Sequence, residues 1–134
     1  MAKSENIGVI SYSPLGGGLL TGKYSVDNST TKNSSGRLHD NAKYKKRYGQ
    51  NWMYAAAISL QDLAKELNYN PISLAVAWVN YHEAITAPII SARNLKQLIP
   101  SLESEKISLD DETYKLISNI SPTPPPATDR SEEA

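Results

Sequence analysis

The sequence contains no cysteine and no phenylalanine, and it carries no net charge. No apolar run reaches the length that a membrane span needs. The lack of cysteine excludes disulfides, thiolate metal sites and a cysteine nucleophile, and it fits a reducing compartment. Without phenylalanine, the core must take its bulk from aliphatic residues, two Trp and eight Tyr. Lys plus Arg and Asp plus Glu number 14 each, which argues against a non-specific nucleic-acid binder, because such proteins carry a basic excess. Lys3 ahead of Ile7–Ile10 has the look of a signal peptide. Ser11, Tyr12, Ser13 and Pro14 end that run early, however, and no cleavage site follows. The expectation is a cytoplasmic protein with neither nucleic acid nor membrane as partner.

What is present is one domain's worth of chain: 134 residues, 40% of them hydrophobic. Ile7 to Ser13 reads as a strand rich in β-branched residues. It begins almost at the first residue. A buried strand normally follows an earlier element, so a preceding N-terminal portion is expected. Pro14-Leu15-Gly16-Gly17-Gly18 ends the strand in a turn that glycine makes permissive. Residues 25–52 read as a long polar surface loop with one short helix; a loop of that length is commonly functional. Tyr54 to Leu67 is a predicted helix, with Ala57, Leu60, Ala64 and Leu67 on one face. Asn70 and Pro71 then cap and start a second helix, Pro71 to Tyr81, which is apolar on most sides and so should be buried. Ile85 to Ile90 is a second strand, followed by a helix from Leu95 that Pro100 should limit. Leu109-Asp110-Asp111-Glu112 opens a last helix, with acids at its positive end and Leu116, Ile117 and Ile120 as its apolar side. The tail from Ser121 is Pro-rich and should be extended.

Strands alternating with helices indicate a parallel α/β fold. Two strands cannot cover both faces and both edges of a parallel sheet, so the pattern points to a piece of a larger barrel or sheet.

Two segments have the chemistry to hold phosphate. Gly17-Gly18-Leu19-Leu20-Thr21-Gly22-Lys23-Tyr24 nearly satisfies the nucleotide-binding pattern G-x-x-x-x-G-K-[ST], but Tyr24 replaces the small hydroxyl that would ligate magnesium. A glycine-rich turn without a ligand is the plain alternative. Ser91-Ala92-Arg93-Asn94 lies between a strand and a helix, where backbone N–H groups and a guanidinium fork suit a phosphate monoester. A solvent-exposed arginine is the plain alternative there. Two such loops, each after a strand, match the phosphate site that (β/α)8 barrels build from their seventh and eighth loops.

Ile7-Gly8-Val9-Ile10-Ser11-Tyr12-Ser13-Pro14-Leu15-Gly16-Gly17-Gly18-Leu19-Leu20-Thr21-Gly22-Lys23-Tyr24 resembles the strand-seven signature of the aldo-keto reductases. Pro71–Trp78, with Ala75-Val76-Ala77-Trp78, resembles the helix that follows in that family. Pro88-Ile89-Ile90-Ser91-Ala92-Arg93-Asn94-Leu95-Lys96-Gln97-Leu98 resembles strand eight and its helix. The resemblance implies an α/β chain forming the C-terminal fragment of a (β/α)8 TIM barrel over residues 1–120, with an extended or disordered tail over 121–134. It implies binding of NADP (NADPH) and hydride transfer to an aldehyde or ketone. Tyr12 would stack on the nicotinamide, and Ser13, Leu15 and Gly17 would lie near the pyrophosphate. Ser91, Ala92, Arg93, Asn94 and Gln97 would surround the adenosine 2′-phosphate. Many relatives hold the adenine with a Glu-Asn pair where this chain has Pro100-Ser101.

The family's catalytic Tyr, Lys, Asp and His come from the first half of the barrel and have no match here. This chain is therefore expected to bring no catalytic residue and no metal ligand. It would meet a carbonyl substrate only if an N-terminal half is supplied, and it should self-associate through its uncovered barrel faces. The alternative is a non-catalytic module that binds a dinucleotide or a partner. His39, His82 and Asp110–Glu112 read as surface and helix-start groups. Asn28-Ser29-Thr30 and Asn33-Ser34-Ser35 match glycosylation sequons, which mean little without a secretory signal.

Overall fold

The computed structural model describes residues 2–24 and 36–123. Both sequons and residues 124–134 of the Pro-rich tail lie outside them. Two short strands, β1 (Ile10–Tyr12) and β2 (Ala87–Ile89), run parallel, with Ile10 opposite Ala87, Ser11 opposite Pro88 and Tyr12 opposite Ile89. Both are shorter than their apolar runs suggested. β1 stops because Ser13 takes a left-handed conformation (φ 59°) that no ladder accommodates. Ahead of it, Val9 is held through the Thr86 side chain, whose Oγ1 accepts its N–H at 3.0 Å.

Between the strands the described residues form a 3₁₀ turn (Gly16–Thr21) and the α-helices α1 (Arg37–Asp40), α2 (Ala42–Tyr48), α3 (Asn51–Glu66) and α4 (Pro71–Tyr81). Beyond β2 come α5 (Leu95–Leu102), a 3₁₀ turn (Glu103–Lys106) and α6 (Asp111–Ser118). Asn70 starts α4 by accepting the N–H of Ile72 at 2.9 Å, with Pro71 in the first turn. Ser73, Leu74, Ala75, Val76 and Ala77 of α4 are all buried. This helix touches α3, α5, α6 and β2, and its Leu74 and Ala75 join Leu60, Ala64 and Ile117 in the main core. A second cluster, Leu19, Tyr24, Leu38 and Ala57, seals the glycine-rich turn against α1 and α3.

The structure corrects three expectations. The described part of the supposed loop, from residue 36 on, is largely helical. Leu38 is 2% exposed and anchors α1, while the Asn41 side chain caps α2 by accepting from Lys43 and Tyr44 N–H. The sequence pattern hid this because the burial is tertiary. Pro100 does not end α5 but sits inside it. A proline there removes a single helical hydrogen bond, and its own carbonyl is held by the Ser73 hydroxyl at 2.6 Å. Finally, Leu116 is 51% exposed, so the apolar side of α6 rests on Ile117 and Ile120.

Side chains alternate across a strand. Ser11 and Pro88 are half-buried on the α4 side, whereas Ile10 (63%), Tyr12 (67%) and Ile89 (53%) stand exposed on the other. A parallel sheet ordinarily has both faces covered.

Two outcomes follow from this packing. Leu74→Ala should cost about 2–5 kcal/mol in urea unfolding followed by circular dichroism, and Leu116→Ala less than about 1 kcal/mol. Comparable losses would contradict the burial pattern. In sedimentation velocity the chain should also self-associate through the open sheet face; a monodisperse monomer up to high concentration would count against that.

Candidate functional site

Because β1 and β2 are parallel and in register, their carboxyl ends lie side by side. The segments that leave them face each other across a cavity of about 750 Å³. Tyr12 is the last residue of β1. After it the backbone runs through positive φ at Ser13, Gly16 (54°), Gly17 (67°) and Gly18 (99°). Gly17 has two reasons to be glycine. Its φ disfavours any side chain, and an added Cβ would come within 2.7 Å of the Tyr44 ring. The turn is closed by Gly16 N–H donating to the Ser13 carbonyl and Gly18 N–H to the Leu15 carbonyl, both at 2.9 Å.

On the other side, Asn94 caps α5, its side chain accepting the Gln97 N–H at 3.1 Å. Gln97 Oε1 in turn accepts the Arg93 N–H at 3.1 Å. This reciprocal pair orders the loop and directs the start of α5 at the cavity.

Tyr12, Ser13, Leu15 and Gly17 from the first segment, and Ser91, Ala92, Arg93, Asn94 and Gln97 from the second, all line this one cavity. Pro100 and Ser101 do not line it. Ser101 is 3% exposed, and its carbonyl accepts from the Ser104 hydroxyl.

The structure adds residues that the sequence reading did not assign: Lys23, Arg37 and Lys96 also line the cavity. With Arg93 they make four cations, and among the described residues no carboxylate side chain lines the cavity. Two of them rest on aromatic rings: Lys23 Nζ lies 4.9 Å from the Tyr24 centroid, and the Arg37 guanidinium 5.6 Å from that of Tyr44. The surroundings thus favour an extended polyanion. Lys23 had a signal, as the lysine of the broken nucleotide-binding motif. Arg37 had none, because it reaches the site only through the fold.

Tyr24, where that motif would need a magnesium-ligating hydroxyl, is 5% exposed, and its hydroxyl accepts the N–H of Leu38. It is a core residue, which removes the nucleoside-triphosphatase reading. Asp110 is likewise structural. It caps α6, and the Thr113 backbone N–H that it accepts at 2.7 Å holds its carboxyl below the ordinary range. At the cavity mouth the Tyr12 hydroxyl accepts from Arg47 Nη1 at 3.3 Å. Tyr12 and then Tyr48 hold that guanidinium above its ordinary value.

An α/β architecture with a cationic, glycine-walled cavity at the carboxyl ends of adjacent parallel strands fits the barrel or doubly wound class, whose sites lie at that end of the strands. Comparison with known proteins narrows the class: residues 1–122 match the aldo/keto reductase family. The chain is 33% identical over 123 residues to an uncharacterized oxidoreductase, YrpG, of Bacillus subtilis (strain 168), covering 92% of this chain and 35% of that protein. It is 32% identical over 108 residues to an aldo-keto reductase of Babesia bovis, covering 80% of this chain and 37% of that one. It is also 28% identical over 117 residues to a probable aldo-keto reductase 1 of Glycine max, covering 87% and 33%. The chain belongs to the aldo/keto reductase family and spans about a third of the length of these relatives. That family is built on the (β/α)8 barrel and uses nicotinamide cofactors. Among the described residues, no helix is long and apolar enough to cross a membrane.

The glycine wall can be tested directly. Gly17→Ala should destabilise the protein by about 1–2 kcal/mol, from backbone strain and the Tyr44 contact together. In the background of Tyr44→Ala the same change should cost less, leaving a coupling of at least about 0.5 kcal/mol. Strict additivity in urea unfolding would mean that Tyr44 is not what Gly17 makes room for.

Proposed function

We propose that this chain is the C-terminal, cofactor-binding part of an NADP-dependent aldo/keto reductase. In this reading residues 1–120 belong to the end of the barrel, with β1 and β2 as its seventh and eighth strands, and 121–134 form a tail. The reading is carried by one observation: two segments 70 residues or more apart in the sequence, 12–17 and 91–97, line a single cavity whose described lining includes four cations and no carboxylate. A nicotinamide dinucleotide phosphate is an elongated polyanion with an aromatic ring at one end, and the cavity offers complementary features along its wall.

Tyr12, at the end of β1, supplies a face for the nicotinamide to stack on. The Gly16–Gly18 turn lets the pyrophosphate approach the backbone where a Cβ would intrude. Lys23 and Arg37 lie on the same wall and neutralise charge there. Across the cavity, Arg93 and the N-terminus of α5 receive the adenosine 2′-phosphate, while Asn94 and Gln97 hold the loop in shape. When bound, the cofactor supplies hydride for reduction of an aldehyde or ketone. The groups that protonate the carbonyl oxygen come from residues this chain does not carry. The work of these residues is to bind and orient the nicotinamide and to shield it on one face. A cytoplasmic setting, where NADPH is abundant as a reductant, suits this chemistry.

NADPH and NADH, titrated into the complete barrel and followed by tryptophan fluorescence, should separate in favour of NADPH. Arg93→Ala should weaken NADPH about tenfold, the lower end of what a charge-assisted contact contributes at an exposed position, and leave NADH nearly unchanged. Equal losses for both cofactors would show that Arg93 does not read the 2′-phosphate, and no binding of either would refute the cofactor reading itself.

A further inference from the structure

Tyr12 is 67% exposed at the mouth of the cavity. A ring left that free would sample several rotamers and make a poor stacking surface. Its hydroxyl is tied to one place by Arg47, which donates from Nη1 at 3.3 Å across 35 residues. Arg47 is followed on α2 by Tyr48, whose ring lies against the glycine turn, 3.3 Å from where a Cβ on Gly17 would sit. Arg47 therefore joins the last residue of β1 to the helix packed on the cofactor wall. It does not itself line the cavity. Among the described residues, no carboxylate pairs with it, so its charge is not cancelled locally.

We propose that Arg47 is a positioning residue that fixes the Tyr12 ring and biases the site toward the reduced form of the nicotinamide. The proposal rests on the reading of Tyr12 as the ring on which the nicotinamide stacks. The oxidised nicotinamide carries a unit positive charge and the reduced one is neutral. The two differ by one hydride and share the same phosphates. A ring stacked on Tyr12 lies roughly 6–7 Å from a guanidinium held at the Tyr12 hydroxyl. At that separation, in a solvent-exposed setting, repulsion between two unit charges disfavours the oxidised form by about threefold. Every phosphate contact acts on both forms alike, so this bias has its origin near the ring. A reductase gains from it, because oxidised product leaves more readily and reduced cofactor replaces it.

The readout is the ratio of the dissociation constants of NADP⁺ and NADPH, measured by fluorescence titration on the complete barrel at low salt. Arg47→Met should lower that ratio about threefold, and the difference from wild type should fade at about 1 M salt, where screening reaches roughly 3 Å. Arg47→Lys keeps the charge and should stay near the wild-type ratio. Tyr12→Phe keeps the stacking face but releases the guanidinium, and it should shift the ratio in the same direction as Arg47→Met. An unchanged ratio in Arg47→Met would overturn the proposal. Should wild type bind neither form, the cofactor reading fails and this one with it. Binding with an unaltered ratio sinks only the role of Arg47.

Discussion

The parallel pairing of β1 with β2 is the constraint on which the site depends. Were the strands antiparallel, the glycine turn after Tyr12 and the Ser91–Asn94 loop would leave from opposite ends of the sheet. Parallel and in register, with Tyr12 opposite Ile89, they leave together and enclose one cavity. The pairing in turn needs a crossover on one face. That crossover contains α3 and α4, and α4 is held by a core in which Leu74 and Ala64 are fully buried. Burial of that helix thus determines whether the two loops meet at all.

Charge in the site is organised by aromatic rings more than by ion pairs. Lys23 stands over Tyr24 and Arg37 over Tyr44, and Arg47 is held by the Tyr12 hydroxyl. A ring orients a cation without neutralising it, so the positive potential remains available to an anion. A carboxylate partner would have fixed the same side chains at the cost of that potential. This accounts for a chain of zero net charge that nevertheless presents a cavity lined, among the described residues, by cations and no acid.

Membership of the aldo/keto reductase family supplies a reason for the open sheet face. The family's fold is a closed (β/α)8 barrel, in which neighbouring strands and layers of side chains cover what Ile10 and Ile89 expose here. The match extends over residues 1–122, about a third of each relative. Pro100 carries no side-chain donor, and Ser101 is buried beneath the turn that follows α5.

Local rules made the buried helix legible in advance: Asn70 and Pro71 announced its start, and the apolar run to Trp78 announced its depth. The alternation of strand and helix, the two glycine- and arginine-bearing loops and the resemblance to one family could also be read from residue order. These properties depend on neighbours in the chain, where propensity and capping act. Residue order did not reveal that residues 37–40 and 42–48 form two helices, that Pro100 lies within α5, or that Lys23, Arg37 and Lys96 join Arg93 at one cavity. Each depends on a contact between distant segments: Leu38 under the Tyr24 hydroxyl, Ser73 on the Pro100 carbonyl, and α1 folded against the glycine turn. The sequence alone determined which side chains could hold a phosphate. Only the tertiary structure decided which of them share a cavity, because burial and parallel register act between segments that residue order keeps apart.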